Sequence, residues 1–285
     1  MRRKPRLFKK IAMRINAWAQ ERTMRKNGIA FEREGIPFSA DSKNGITVIL
    51  NAYKRPGYLQ QQVAALRAQS VPPAQIWVWC NDSEKPTPDF SSLVDRVLVS
   101  NFNWKFFGRF TLASLAQTTY VAFFDDDILP QPLWFENCIN TVTTGYDGIL
   151  GGSGVLLPTE GYSAKQKIGW NGALLSQPTT VDLVGHAWFA RKAHFCHLWR
   201  EEPYSWDNGE DIHLSYTALK YGGVKTYVPP HPPDDIKLWS CDPDFGKIAG
   251  GGAVATYKRS DHLPIRNAAV AYYRKSGWRI LADNE

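Results

Sequence analysis

The sequence predicts an α/β fold built on a mainly parallel central sheet with helices on both faces. From residue 45 to residue 127, apolar strand-like runs alternate with helical patterns, an order typical of sheets wound in the nucleotide-binding manner. The run at residues 120–130, YVAFFDDDILP, predicts a buried strand that ends in three carboxylates. Because ligands gather beyond the carboxyl ends of strands in open α/β sheets, this acidic turn is the predicted centre of function.

The composition is that of a globular protein with an unevenly placed positive charge. The 285 residues are 44% hydrophobic and 13% aromatic, enough for one large α/β domain or two small ones. Residues 1–27 hold ten Lys or Arg against one Glu, so the formal charge of +7 belongs to this segment and the remaining chain is nearly neutral. The four cysteines are widely spaced without a CxxC pair, which argues against a zinc cluster or a disulfide scaffold.

Neither a cleavable signal nor a membrane span is evident. No uninterrupted apolar stretch follows the basic start, and no segment reaches the roughly 18 apolar residues that a span needs. We therefore expect a cytoplasmic protein with reduced thiols.

Residues 1–44 form a basic N-terminal arm. Its apolar residues recur at helical spacing between Lys and Arg: Leu7, Phe8, Ile11, Ile15 and Trp18. This pattern is typical of an amphipathic helix in a membrane interface, which would place the protein peripherally on the inner face of the cell membrane. A helix docked on the domain, a disordered tail and a nucleic-acid contact are the alternatives, with nucleic acid the less favoured partner.

The first two predicted strands each end in polar side chains. Residues 45–53 and 75–80 are strand-like, and a helix is expected over residues 56–69. The turn after the first strand holds Asn51, Tyr53 and Arg55, and its Lys and Arg could receive a diphosphate. Asn81 and Asp82 follow the second strand and could bind a base or ribose. A solvated turn is the alternative reading of the first turn.

A third short strand at residues 96–99 is followed by an aromatic and basic segment. Asn103 and Arg109 are its polar members, and a helix is expected over residues 108–117. Arg109 is interpreted either as a surface residue or as a group near phosphate. No GxGxxG follows a strand and no GxxxxGK[ST] is present, which disfavours classical dinucleotide binding and P-loop chemistry.

The three carboxylates Asp125, Asp126 and Asp127 need a compensating cation. Their oxygens suit Mg²⁺ or Mn²⁺, which keeps waters and takes its remaining ligands from phosphates. A solvated acidic turn or a Ca²⁺ loop is the alternative.

The second half, residues 131–285, is less regular. An excursion at residues 158–178 holds Trp170 and is expected to line a pocket, and a helix is expected over residues 191–199. Glu210 and Asp211 open a helix that ends at Gly222 and Gly223, although carboxylates in a first turn also have a purely structural reading. His231 stands between prolines, as a packed ring or a ligand. The Gly-rich and basic tail predicts a flexible flap over an anionic substrate.

Four motifs together resemble those of the GT-A glycosyltransferases, and more narrowly those of the exostosin-like branch: NAYKR, CND, DDD and GEDI, spread over residues 45–228. The resemblance implies a GT-A fold with a donor half at residues 45–130 and an acceptor half at residues 131–285. It also implies a nucleotide-sugar donor, usually a UDP-sugar, with Mn²⁺ bridging its diphosphate to the acidic turn.

The resemblance further implies roles for single residues. Asp127 would be the main metal ligand. Asp125 and Asp126 would face ribose and sugar hydroxyls, and Asp125 would also be a metal ligand. Uridine and phosphate would be bound by Arg55, Asn81, Asn103 and Arg109. Asp211, with Glu210 beside it, would stand near the anomeric carbon. The exostosin-like branch retains anomeric configuration, whereas inverting relatives use the corresponding carboxylate as general base.

Two positions bear on this comparison. The family's cysteine before the ED pair is Gly209 here, so the disulfide of the animal relatives cannot form. Many GT-A enzymes place a late His on the metal, and His231 is the candidate.

The sequence thus predicts a metal-dependent hexosyl- or N-acetylhexosaminyltransferase of polysaccharide biosynthesis, acting with retention on a glycan, polysaccharide or lipid-linked acceptor. DNA as acceptor, a metal-dependent nucleotidyltransferase and a non-catalytic carbohydrate-binding module are the competing hypotheses.

Overall fold

A computed structural model describes residues 45–52, 56–81, 90–250 and 258–284. The predicted basic arm, residues 1–44, lies outside the described residues, as do Tyr53, Arg55 and Asp82. Their predicted roles are therefore untested by the structure. Within the described ranges, no helix is both long enough and apolar enough to cross a membrane.

One eight-stranded sheet forms the centre of the molecule. Its strands lie in the order β3-β2-β1-β4-β10-β5-β11-β8. Strands β10 and β8 run against the other six, so the sheet is mainly parallel, as predicted. The bounds are β1 Ile46–Ala52, β2 Gln75–Cys80, β3 Arg96–Val99, β4 Tyr120–Phe124, β5 Ile149–Leu150, β8 Thr179–Val181, β10 Trp188–Arg191 and β11 Thr226–Val228.

A smaller antiparallel sheet joins β6 (Ser153–Leu156) to β7 (Gln166–Gly169) and to β9 (Leu183–Gly185). The α-helices are α1 Leu59–Arg67, α2 Trp134–Thr143, α3 Glu210–Gly222, α4 Pro243–Gly250 and α5 His262–Lys275.

Alternate residues of the central strands feed hydrophobic cores on the two faces of the sheet. On one face, Val48 and Leu50 of β1 belong to a cluster with Leu59 and Val63 of α1. On the other face, Ile49 of β1 belongs to a cluster with residues of the 108–115 segment, β10 and α3. This period of two is the pattern of strands buried on both faces, and it confirms the prediction of helices on both sides.

Two helices predicted from the sequence are 3-10 helices in the structure, Gly108–Leu115 and Lys192–Trp199. The spacing of their buried residues is compatible with this form. Arg109 is buried with Leu112, Phe110 with Ala113, and Phe195 with Leu198, each pair three residues apart. A repeat of three residues per turn places such pairs directly above one another, and an α-helix would also keep them on one face.

The last part of the chain differs from the expected flexible flap. Residues 262–275 form α5, and its Ala269, Val270 and Tyr273 are buried in a third core cluster with Ile212 and Tyr216 of α3. Apolar burial of this kind orders a segment, so the described part of the tail is a packed helix. The predicted donor and acceptor halves share one sheet, because β4 pairs with β10.

Candidate active site

The carboxyl ends of β1, β2 and β4 meet at one edge of the sheet. Leu50 pairs with Phe124, and Ala52 pairs with Cys80, so the residues that follow these strands lie at similar heights. The structure therefore brings Asn51, Asn81 and Asp125 to the same edge, where parallel sheets bind ligands.

Asn81 and Asn103 contact each other, and both hold the segment after β3. The Asn81 amide donates to Asn103 Oδ1 at 3.1 Å and to the Lys105 carbonyl at 2.9 Å. Its oxygen accepts from the Trp104 backbone N–H at 3.0 Å. Asn81 is 5% exposed, so in this geometry it positions the 103–105 backbone. Direct contact of Asn81 with a base stays a prediction.

Arg109 is buried between two carboxylates. Its guanidinium forms an ion pair with Asp125, and its Nη2 lies 3.8 Å from Glu210 Oε1. The side chain is 2% exposed and lies over the Trp188 ring, 4.7 Å from its centroid. This burial excludes the interpretation of Arg109 as an ordinary surface residue. Burial alone would lower the pKa of Arg109, but the charges of Asp125 and Glu210 raise it above its usual value.

Glu210 and Asp211 begin α3, directly after Gly209. Gly209 has φ +94°, a left-handed conformation that favours glycine over residues with a Cβ. The turn directs both carboxylates inward, since Glu210 and Asp211 are 8% and 9% exposed. A helix start serving only the dipole would leave such carboxylates in solvent, so the purely structural reading does not account for their burial.

Asp211 is held by a second buried arginine. Arg266 Nη2 on α5 donates to Asp211 Oδ2 at 2.6 Å, and the Ile212 backbone N–H donates to Oδ1 at 2.9 Å. Arg266 is 5% exposed, also donates to Asn208 Oδ1 at 3.2 Å, and lies 4.4 Å from the centroid of the Tyr162 ring. These contacts fix the orientation of the Asp211 carboxylate.

The space next to Asp211 is bordered by Gly185. A Cβ placed on Gly185 would lie 3.6 Å from Asp211 Oδ2. A side chain at position 185 would therefore be in van der Waals contact with that oxygen.

Glu210 has a pKa close to neutral pH. Burial, and next the charge of Asp211, raise its pKa from 4.5 to about 7, and the charges of Arg109 and Arg266 only partly oppose this. A carboxyl group with such a pKa exchanges its proton close to neutral pH. A raised pKa at a buried carboxylate pair is typical of catalytic sites.

Substituting Glu210 by Gln is expected to remove a pH-dependent loss of stability. Since its folded-state pKa lies above the usual value of 4.5, the folded protein binds this proton more tightly than the unfolded chain. The wild-type free energy of unfolding should therefore fall by up to about 3 kcal/mol as pH rises from roughly 4.5 to roughly 7. Urea unfolding at about pH 5 and about pH 8 measures this, and an equal pH dependence in the Glu210→Gln variant would contradict the expectation.

Asp126 and Asp127 complete the acidic turn. Asp126 is 9% exposed, and Asp127 is half-buried. Burial, together with the nearby charge of Asp127, raises the pKa of the Cys241 thiol to about 12, which places Asp127 beside the loop that precedes α4. Among the described residues, no group of three or more His, Cys, Asp or Glu side chains lies together as a complete metal site.

The donor set at the turn nevertheless suits a hard divalent ion. Asp125 and Asp127 offer carboxylate oxygens at the ligand-binding edge of the sheet, and Mg²⁺ or Mn²⁺ takes its remaining ligands from phosphates and water. The residues present therefore fit an ion shared with a bound diphosphate.

His231 is fully buried with both ring nitrogens engaged. Nδ1 lies 2.8 Å from the Pro229 carbonyl, and Nε2 lies 3.1 Å from Ser240 Oγ. Burial lowers its pKa to about 4, so the ring is neutral at pH 7. A nitrogen whose lone pair is used inside the protein cannot ligate a metal at the same time, so this geometry does not support the predicted ligand role of His231.

Trp170 packs against His186. The two rings are stacked, with centroids 5.6 Å apart and planes 7° apart. Because Trp170 is only 7% exposed, it stabilises the packing here and offers little surface for a ligand. His186 is close enough to Asp125 for that charge to act on its pKa, although burial is the larger cause and lowers the pKa to about 4.

The sequence predicts Arg266 only as part of the basic tail, without its pairing to Asp211, and it assigns no role to His186. Arg266 stands on one helical stripe with Ala269, Val270 and Tyr273, at spacings of three, four and seven residues. An arginine in an otherwise apolar stripe is a signal that could have found it. His186 has φ +57° and Nε2 has no hydrogen-bond partner, but nothing in the sequence around it indicates this.

Comparison with known families gives one match. A family model described as glycosyl transferase family 2 matches residues 47–195, just over half of the chain. The match covers the strands that end at the acidic turn and stops before Glu210 and Asp211. No curated protein matches the chain.

Proposed function

The chain belongs to glycosyl transferase family 2, and we propose that it is a metal-dependent enzyme that transfers a sugar from a UDP-sugar to a glycan acceptor with Asp211 as general base. Family membership establishes the broader part: a glycosyltransferase with an α/β GT-A fold that uses a nucleotide-sugar donor and an acceptor. This confirms the fold and reaction class expected from the sequence. The narrower resemblance to the exostosin-like branch is not confirmed.

The observation that carries the proposal is the contact between the two acidic motifs. Arg109 reaches both Asp125 of the acidic turn and Glu210 at the start of α3. The predicted metal and diphosphate position and the predicted catalytic carboxylates therefore border one site. Transfer of a glycosyl group needs these functions side by side, because the leaving diphosphate and the attacking hydroxyl lie on either side of the anomeric carbon.

Asp211 is the carboxylate best placed to accept the proton of the acceptor hydroxyl. Arg266 and the Ile212 backbone N–H orient it, and Gly185 leaves room in front of Oδ2. A fixed base of this kind raises the nucleophilicity of the hydroxyl as the new bond forms. Glu210 lies beside Asp211, and its pKa of about 7 gives the site a second carboxyl group that can exchange a proton near neutral pH.

In the proposed metal site, Asp127 and Asp125 would hold Mn²⁺ or Mg²⁺. The ion would supply positive charge to the leaving diphosphate. Arg109 adds charge that is fixed in place before substrate binds, because the Asp125 ion pair and the Trp188 ring restrict its movement.

We propose inversion of the anomeric configuration. Retention was implied only by the exostosin-like resemblance, which is not confirmed. A carboxylate that deprotonates the incoming hydroxyl suits a single displacement from the face opposite the leaving group, and such a displacement inverts the anomeric carbon.

The basic arm supports a proposed place of action at an anionic membrane surface. Ten cations in residues 1–27 are attracted to acidic headgroups, and lipid-linked or polysaccharide acceptors would be met there. The transferred sugar is proposed to be a hexose or an N-acetylhexosamine.

Thermal shift of the full chain tests the donor and metal assignment. We expect one UDP-sugar to raise Tm only with Mn²⁺ or Mg²⁺ present, because both would bind the folded state alone. The Asp127→Ala variant should lose this rise. The Asp244→Ala variant is the matched control, since its side chain is 89% exposed on α4, and it should keep the rise. A rise that is independent of metal, or equal in both variants, would contradict the proposed metal site.

A further inference from the structure

Three large aromatic side chains beside the candidate site are exposed. Tyr204, Trp206 and Tyr272 are 44%, 42% and 47% exposed. Two of them precede Glu210 in the chain, and the third lies on α5, the helix that carries Arg266. Below, these three residues are called the aromatic rim.

Trp206 connects the aromatic rim to the charged centre of the site. Its ring is 5.0 Å from the ring of Phe107, which stands two residues before Arg109. Next to Trp206, Asp207 forms an ion pair with Lys105 at 3.4 Å. The segment before α3 is thus fastened to the segment after β3, and Asn208, two residues after Trp206, accepts from Arg266, which pairs with Asp211.

Tyr204 and Tyr272 extend the rim along α5. Their rings are 5.3 Å apart, and the Tyr204 backbone N–H donates to the Tyr273 hydroxyl at 2.8 Å. The Tyr273 ring is 5.6 Å from His213, which is 6.2 Å from Phe107. One buried aromatic layer therefore supports all three exposed rings, which keeps them in place without a ligand.

We propose that the aromatic rim is an acceptor subsite that binds a carbohydrate chain and leads its end to Asp211. The identification of this chain as the acceptor rests on the proposed function. The apolar C–H faces of pyranose rings pack on aromatic rings, and rigid Tyr and Trp side chains lose little conformational entropy on binding. Since Asn208 in the same segment contacts Arg266, the partner of Asp211, a chain bound on the rim would lead towards that carboxylate.

Charge favours a carbohydrate chain over a lipid surface at this position. Aromatic rings also occur at membrane interfaces, usually with cations facing anionic headgroups. The rim is bordered by Glu201, Glu202 and Asp207, but Lys220 pairs with Glu201 and Lys105 pairs with Asp207, so this border carries no excess of cations. Such a border does not attract anionic headgroups, whereas the hydroxyls of a neutral glycan can donate hydrogen bonds to its carboxylates.

The test measures binding of soluble oligosaccharides to the full chain by isothermal titration calorimetry. The probes are cello-, chito- and malto-oligosaccharides from disaccharide to hexasaccharide, each with and without UDP. We expect one series to bind more tightly as its chain lengthens, and Trp206→Ala to weaken that binding by about tenfold. The Leu115→Ala variant is the control, because Leu115 is 57% exposed at the last residue of the 3-10 helix Gly108–Leu115, and its binding should be unchanged.

A second measurement separates this proposal from the proposed function. Hydrolysis of the UDP-sugar by water needs the donor site but no acceptor chain, and we expect Trp206→Ala to hydrolyse it at the wild-type rate. Absence of hydrolysis in the wild type would count against the proposed function alone. Equal oligosaccharide binding by wild type and Trp206→Ala, or no binding by either, would overturn the subsite. Loss of sedimentation with anionic liposomes in Trp206→Ala, without any loss of oligosaccharide binding, would assign the rim to a membrane instead.

Discussion

The Asp211→Asn variant is expected to transfer sugar about 10²- to 10⁴-fold more slowly than the wild type while binding the donor nearly as well. Asparagine keeps the size of the side chain but cannot take up a proton, and its single oxygen can accept from only one of Arg266 and the Ile212 N–H. The loss should therefore fall on kcat, with a small change in the KM for the donor.

The Asp147→Asn variant is the matched control for this experiment. Asp147 also pairs with an arginine, with Arg191 Nε 2.8 Å from its Oδ2, but that pair is exposed. We expect its kcat to stay at the wild-type value, since surface pairs contribute little. A kcat for Asp211→Asn within a few-fold of wild type would contradict the role of Asp211 as base. The base would then be sought in Glu210, whose pKa of about 7 also suits proton transfer.

The parts of the site that the sequence predicts are those carried by local patterns. An apolar run followed by three aspartates predicts both β4 and the acidic turn, because burial and charge are properties of neighbouring residues. The helix that starts at Glu210 and ends before Gly223 is equally local, since Gly223 has φ +63°, which is favourable for glycine at a C-cap.

The parts that the sequence does not predict depend on contacts between distant segments. Arg266 stabilises Asp211 only because α5 packs on α3, and no short-range pattern encodes that packing. The raised pKa of Glu210 likewise follows first from burial, which depends on how distant segments pack around the start of α3. For His231, the structure argues against a role that the sequence suggested. A histidine between prolines predicts little, and only the Pro229 and Ser240 contacts reveal a packed ring.

The contact between the two motifs also explains why a buried cation is retained at the centre of the site. Asp125 and Glu210 arise from different segments, and their negative charges would repel one another at this edge of the sheet. Arg109 compensates both, so the residue that we propose to assist the leaving diphosphate also holds the two carboxylates together.

The Arg109→Met variant is therefore expected to lose about 3–5 kcal/mol of unfolding free energy. Methionine fills much of the volume against Trp188 but leaves Asp125 and Glu210 without their shared cation. Urea unfolding near pH 8 measures the loss. Arg191→Met, which removes the exposed partner of Asp147, is the matched control and should cost at most about 1 kcal/mol.

The pH dependence of this loss identifies its cause. Glu210 already has a raised pKa, and without Arg109, whose charge lowers it, the pKa should rise further. Near pH 5 Glu210 is then protonated in both proteins, so Arg109→Met should cost less there than near pH 8. Adding Glu210→Gln to Arg109→Met should recover part of the stability at about pH 8, because one uncompensated carboxylate is removed. If the loss were equal at both pH values and unchanged in the double variant, packing against Trp188 would account for it, and the charge-bridging role of Arg109 would be wrong.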